Sequence, residues 1–172
     1  METEPNIFVN PLPSAMKNGL SLGVIFSLNF ILTPSSNAVV QVLTYVILVF
    51  IMLSTWRYTC MFRDNESGGS ISFYRAFSYI FLLFFFASLI SAAVKLVYLK
   101  YINTNYLTDL FAATEKVIQQ LQIQMPEGYN AALSDMLSPI NFTMQTLMVD
   151  TMLGAILGLI YAPFIKREKK NS

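Results

Sequence analysis

Long stretches without charged side chains are the feature that most constrains this chain. Residues 18–56 and residues 76–94 contain no Lys, Arg, Asp or Glu, and residues 136–165 contain only Asp150. A helix that spans a bilayer needs about 20 predominantly apolar residues. The second and third stretches therefore predict one membrane span each, whereas the first is long enough for two.

The first stretch contains its own interruption, the segment Thr33-Pro34-Ser35-Ser36-Asn37. Proline disfavours helix at the residue before it, and Ser and Asn favour turns. The segment therefore predicts a tight hairpin between two helices. At the last stretch, Ser138-Pro139 fits an N-cap followed by a first-turn proline. The predicted spans cover, in chain order, residues 15–32, 38–56, 77–99 and 139–165.

The composition agrees with this interpretation and excludes several classes of protein. Apolar residues make up 55% of the chain and charged residues only 12%, against about 25% charged in soluble domains. The net charge of +1 without a basic domain argues against nucleic-acid binding. One cysteine and no histidine exclude a Cys/His zinc site and any catalytic triad that needs an imidazole. We therefore predict a single all-α domain of four transmembrane helices over residues 1–172, without cofactor, metal or catalytic residues.

The Lys and Arg residues are divided unevenly between the two ends of these spans. Four spans place both termini on one side, and that side receives eight of the 11 basic residues. The positive-inside rule makes this side cytoplasmic, so we expect both the N-terminus and the C-terminus inside. The cytoplasmic group is Lys17, Arg57, Arg63, Arg75, Lys166, Arg167, Lys169 and Lys170, and the outer group is Lys95, Lys100 and Lys116.

The connection between the third and fourth spans, residues 103–138, is too long and too patterned for a simple loop. Apolar residues recur in it at helical spacing, and Pro126 and Gly128 separate two such segments. We expect two amphipathic helices on the extracytoplasmic side, lying on the membrane or folded over the bundle. They would serve as a structural cap, a partner-binding surface or a substrate lid. The candidate partner surface consists of Leu107, Leu110, Phe111, Ile118 and Leu121.

Asp150 is the sharpest candidate for a functional residue. It lies about nine residues into the fourth span, roughly 13 Å deep at 1.5 Å per residue, where a carboxylate is costly. Lys95, near the outer end of the third span, is its candidate partner. The alternatives are a structural pair or a protonated Asp, a subunit contact, a proton or ion relay, and catalysis. Asn29 and Gln41 flank the outer hairpin and are candidates for a mutual hydrogen bond.

Two glycine pairs have the small-xxx-small spacing that allows helices to approach closely. Gly19 and Gly23 lie in the first span, and Gly154 and Gly158 lie in the fourth. Both pairs fall at overlapping depths in the cytoplasmic half. We therefore expect the first helix to pack directly on the fourth, with a homo- or hetero-oligomer seam as the alternative.

Several short segments together resemble a known family. They are the Lys17-Asn18-Gly19 opening of the first helix, the polar turn at Arg63-Asp64, the segment Gly69 to Phe77 that leads into the third helix, and the tyrosine-rich exit from Tyr98 to Leu107. With the long outer helix and the basic tail, this layout resembles the DUF4199 family of small membrane proteins found in Bacteroidota. The resemblance implies an integral membrane protein of unknown function. It also implies that a membrane-associated family 2 glycosyltransferase is encoded nearby, as is often so for members of the family, and hence a role around lipid-linked sugars.

Three functions are consistent with these features. The first is a non-enzymatic accessory or scaffold subunit for a membrane-protein partner or homo-oligomer, with a lipid-linked-sugar glycosyltransferase as a candidate partner. The alternative is a small lipid or solute carrier or flippase that uses Asp150 and Lys95. An enzyme is disfavoured, because neither an acidic metal-binding pair nor a His/Cys constellation is present in the sequence. The expected location is the bacterial cytoplasmic (inner) membrane, with the bilayer itself as a partner.

Overall fold

Residues 9–167 are described by the structure, a computed structural model, and they form an all-α fold. Lys169 and Lys170, which the orientation argument used, lie outside the described residues. Two of the helices, the second and the third, continue into a π-helical turn, at Phe62–Glu66 and Tyr98–Ile102. The helices are α1 (Leu12–Leu32), α2 (Ala38–Met61), α3 (Phe73–Val97), α4 (Tyr106–Gln120), α5 (Tyr129–Met136) and α6 (Pro139–Ile165).

Four helices, α1, α2, α3 and α6, are long and apolar enough to cross a membrane. This agrees with the four spans predicted from the three stretches of the sequence that are poor in charge. Helix α2 runs past Trp56 to Met61, and α3 begins at Phe73 rather than at residue 77. The earlier start of α3 has a local cause, because the Ser72 side chain accepts a hydrogen bond from the Arg75 backbone N–H at 3.4 Å.

The break between α1 and α2 is a short connection over residues 33–37. Asn37 begins α2 as its N-cap, and its Oδ1 accepts the backbone N–H of Val39 at 2.9 Å. This bond satisfies one of the donors that a helix start leaves free. The hairpin is therefore encoded by the proline that ends one helix and the asparagine that starts the next.

Helix α3 lies at the centre of the bundle, and α1 and α6 pack along two different faces of it. The prediction that the first spanning helix packs directly on the fourth is wrong, because both pack on α3 instead. A Cβ placed at Gly23 would lie 2.7 Å from the Cβ of Ile90 on α3, and one at Gly19 would lie 2.8 Å from that of Phe86. Gly154 and Gly158 lie against two other α3 residues, Phe84 and Phe77 respectively. Each glycine pair thus lets its own helix approach α3, because a side chain at these positions would collide with atoms of α3.

Helix α2 lies at the edge of the bundle. Only 17% of the residues in its most apolar stretch are buried, against 44% for α3. None of its buried residues comes before Ile47, and they are Ile47, Ile51, Ser54, Thr55 and Thr59. Most of the helix surface is therefore available to lipid.

The bundle has two distinct ends. The terminal end contains the start of α1, the α2–α3 connection and the end of α6. It is held together by Arg63, whose Nη1 donates to the Ile165 carbonyl at 3.2 Å, and by a short antiparallel bridge between Ile71 and Arg167. The distal end contains residues 33–37 and residues 98–138.

Candidate functional site

Lys95 and Asp150 form an ion pair inside the bundle. The Lys95 Nζ on α3 donates a hydrogen bond to Oδ2 of Asp150 on α6, with a distance of 2.9 Å. The side chain of Lys95 is 7% exposed and that of Asp150 is 21% exposed. The packing of α6 on α3 therefore brings together the two charged residues that the sequence singled out.

The aromatic ring of Phe30 on α1 adds a second contact to this pair. The Lys95 Nζ lies 5.4 Å from the ring centroid of Phe30, within the range of a cation–π interaction. A charged side chain within a spanning helix is costly when it has no compensation. The carboxylate and the ring together provide that compensation for the ammonium group of Lys95.

Two buried polar atoms near this pair have no hydrogen-bond partner among the described residues. They are Oδ1 of Asn29 on α1 and Oγ of Ser91, which lies one helical turn before Lys95 on α3. The predicted bond between Asn29 and Gln41 does not form, because the Gln41 amide donates to the Ser35 carbonyl at 3.4 Å. A buried polar atom without a partner is costly, and of these two residues Asn29 is the one that lines the cavity described below.

The polar side chains continue along the contact between α3 and α6. Oγ of Ser88 lies 3.0 Å from Oγ1 of Thr151, and Ser91 follows Ser88 by one turn toward Lys95. This arrangement leads from the middle of the bundle toward the distal end. It gives the α3–α6 contact specific hydrogen bonds in surroundings that are otherwise apolar.

A cavity of about 410 Å³ lies beside the ion pair. All four long helices contribute to its wall. Its polar lining lies toward the distal end, and its apolar lining continues toward the middle of the bundle. The polar residues are Asn29, Thr33, Lys95 and Asp150, and the apolar residues are Phe26, Phe30, Leu48, Ile51, Met52, Phe84, Leu153, Ile156 and Leu157.

The cavity opens sideways between α2 and α6. Leu48 and Met52 on α2, and Leu153 and Ile156 on α6, line the cavity and yet remain about half exposed. All four residues belong to helices of bilayer-spanning length and apolarity. These half-exposed lining residues place the opening on the apolar flank of the bundle.

An aromatic cluster closes the distal side of this region. The ring centroid of Phe30 lies 5.8 Å from that of Tyr98 and 5.7 Å from that of Tyr106, both in edge-to-face geometry. Phe142 of α6 completes the cluster. Burial, and more weakly the neighbouring Tyr98, raise the pKa of Tyr106 above its usual value. The phenol of Tyr106 therefore stays neutral at physiological pH, as its apolar surroundings require.

The five residues predicted to form a partner surface differ from one another in how exposed they are. Leu107 is only 7% exposed and packs beside Phe30 and Leu99, so it attaches the start of α4 to the bundle. Leu110, Phe111 and Ile118 are half-buried, and Leu121 is exposed. At most the later part of α4 is therefore free for a partner.

Sequence reasoning missed three parts of the site: the role of Phe30, the unpaired state of Asn29, and the contribution of α2 to the cavity. Phe30 and Asn29 lie one turn before the hairpin, and Asn29 is a polar residue within an uncharged stretch. A polar residue at that position can be recognised from the sequence as a candidate site residue. Nothing in an apolar helix such as α2 distinguishes residues that line a cavity from those that contact lipid.

Within residues 9–167, no group of three or more His, Cys, Asp and Glu residues is placed to hold a metal ion. The groups that the site does offer are an ammonium group, a carboxylate, an amide and an apolar wall. These groups can bind and orient a molecule through hydrogen bonds and hydrophobic contact.

An all-α chain with four apolar helices of bilayer length and an ion pair enclosed among them defines a multi-pass membrane protein. The chain belongs to the family described as "Protein of unknown function (DUF4199)", whose model matches residues 17–167. The match confirms the resemblance drawn from the sequence. No curated protein and no solved structure matches the chain.

Proposed function

We propose that this protein is a non-enzymatic, multi-pass protein of the bacterial cytoplasmic membrane that holds a membrane amphiphile in the cavity beside Lys95 and Asp150. The cavity itself is the observation that carries the proposal. It combines a polar end, an apolar wall and an opening on the apolar flank of the bundle. Pockets of about 300–1,000 Å³ with this combination are typical ligand sites.

The charge pattern supports a binding role for the ion pair. Charged residues within membrane spans are costly, and they commonly mark the pathway or site of a polar ligand. Replacing a buried ion pair by a hydrophobic pair of similar size is often neutral for stability. The pair therefore has a clearer purpose as part of a site than as a packing element. Holding an amphiphile is the step that the carrier or flippase role requires.

The proposed orientation follows from the basic residues. The terminal end carries Arg57, Arg63, Arg75 and Arg167 among others, so we assign it to the cytoplasm. The polar end of the cavity then lies in the outer half of the membrane. A ligand would enter from the outer leaflet between α2 and α6.

Photocrosslinking tests the proposal. The purified full chain in detergent micelles would be labelled with a single-chain C16 amphiphile carrying a diazirine on its chain. We expect labelled peptides around Met52 and Ile156, and a strong reduction in Met52→Trp, because the new side chain fills the cavity. Leu53→Trp is the matched control, since Leu53 is exposed on the same helix and does not line the cavity. Uniform labelling of all apolar faces that Met52→Trp does not alter would refute the proposal.

An accessory subunit is the second candidate, and the exposed apolar side chains outside the spans favour it. Val117, Leu121, Ile123 and Met125 are all exposed in or just after α4. A patch of this kind is typical of a surface that contacts another protein or a membrane. The test is tagged purification from native membranes in mild detergent. A near-stoichiometric membrane protein that is lost in Leu121→Glu would support this role, and its absence would argue against it.

A further inference from the structure

The polar end of the cavity has a chemistry that selects among head groups. We infer that it accepts an uncharged, hydroxyl-bearing head group on a single alkyl chain and rejects a phosphate. The inference rests on the proposed function, since it assigns a ligand class to the same cavity.

The first step of the inference is the balance of charge. Within the described range 9–167, Lys95 and Asp150 are the only charged residues that line the cavity, and their 2.9 Å contact pairs them with each other. The ammonium group that a phosphate would need is therefore already compensated. A phosphate monoester would bring a charge of about −1.5 to −2 close to a carboxylate in apolar surroundings, where like charges repel strongly.

The second step is the balance of donors and acceptors. Oδ1 of Asn29 is a buried acceptor without a partner, and the described residues donate no hydrogen bond to Oδ1 of Asp150. Both atoms can accept a hydrogen bond, and a fully ionised phosphate has no donor to offer them. An alcohol has one O–H donor and two acceptor lone pairs. It can therefore donate to Asn29 or Asp150 and accept from an N–H of Lys95.

The third step is the shape of the cavity. Its volume of about 410 Å³ lies toward the lower end of the range for ligand pockets. Polar side chains are confined to one end, and the opening between α2 and α6 lies at the apolar part. The cavity thus fits a small head group and the first part of one alkyl chain, while the rest of the chain lies in the bilayer. Long-chain alcohols and monoacylglycerols have this form.

The experiment compares two probes that differ only in the phosphate. Binding of monododecanoylglycerol and of dodecanoyl lysophosphatidic acid to the purified full chain would be measured by native mass spectrometry. We expect the monoacylglycerol to bind at least about tenfold more tightly, as a hydrogen bond to a charged group and the absent repulsion together imply. Asn29→Leu should weaken its binding about fivefold and leave the weak binding of the phosphate lipid unchanged.

Asp150→Asn provides the decisive variant, because it removes the negative charge and leaves Lys95 free to attract an anion. We expect this change to reverse the preference in favour of the phosphate lipid. Monodisperse elution and unchanged helicity establish that each variant is folded, and Asn29→Leu keeps the inference testable if Asp150→Asn does not fold. Equal or tighter binding of the phosphate lipid to the unaltered chain would overturn the head-group inference alone. Binding of neither lipid would overturn the proposed function together with it.

Discussion

Removing one member of the Lys95–Asp150 pair tests most directly whether the enclosed charges are matched. In Asp150→Leu, the ammonium group of Lys95 stays in a position where its side chain is only 7% exposed. Breaking a buried pair in this way costs about 3–5 kcal/mol. We take about 3 kcal/mol as the expected loss, because the cavity beside the pair and the Phe30 ring provide partial compensation.

Replacing the other member of the pair, in Lys95→Met, should reduce the stability of the protein less. It leaves Asp150, whose side chain is 21% exposed and borders the cavity, so the remaining charge is less completely enclosed than that of Lys95. Replacing both residues by Met and Leu removes both charges at once. We expect this double variant to lie within about 1 kcal/mol of the unaltered chain, since hydrophobic replacements of buried pairs are often neutral.

Thermal unfolding of the four proteins in the same detergent gives the required double-mutant cycle. For a chain of this size, about 3 kcal/mol corresponds to a decrease in Tm of roughly 6–12 °C. Asp109→Leu is a matched control, because Asp109 is exposed on α4, outside the spans. The reasoning is refuted if Asp150→Leu unfolds at the same temperature as the unaltered chain. It is refuted equally if the double variant is as unstable as the sum of the two single ones.

Three further predictions concern packing and topology. Gly154→Val should destabilise the bundle by about 1–3 kcal/mol, because even a Cβ at this position collides with the Phe84 side chain. The measurement is the unfolding temperature, and a substitution of the exposed Leu159 is the control. A topology reporter inserted within residues 110–125 should report an extracytoplasmic position, and a cytoplasmic signal would reverse the proposed orientation. Leu107→Ala should detach the start of α4 and speed proteolysis of the connection, whereas Leu121→Ala at an exposed position should not.

The positions of the long helices could be predicted from the sequence because charge is excluded from a bilayer core. The stretches without charge, the proline at residue 34 and the asparagine at residue 37 mark where the chain crosses and where it turns. The pairing of Lys95 with Asp150 followed from the same principle. These are the two charged residues that lie within spans near the distal end, and each needs compensation.

The neighbours of each helix could not be predicted in this way. In a soluble protein, a polar face shows which side of a helix points outward, but a spanning helix is apolar on every side. The glycines of α1 and α6 were correctly identified as positions of close approach, yet nothing in their spacing distinguishes α3 from another partner. The location of Leu107 in the bundle was missed for a related reason. An apolar stripe on α4 has the same spacing whether it contacts lipid, a partner or the bundle itself.

The uneven attachment of α2 has a mechanical consequence. All of its buried residues lie between Ile47 and Thr59, so residues 38–46 have no buried anchor, although they lead to the mouth of the cavity. Helix α2 is therefore anchored near the terminal end of the bundle and only loosely held near the distal end. We expect the gap between α2 and α6 to widen when α2 tilts about its anchored end, while α1, α3 and α6 keep their contacts. The passage of a lipid chain would then require little rearrangement of the bundle core.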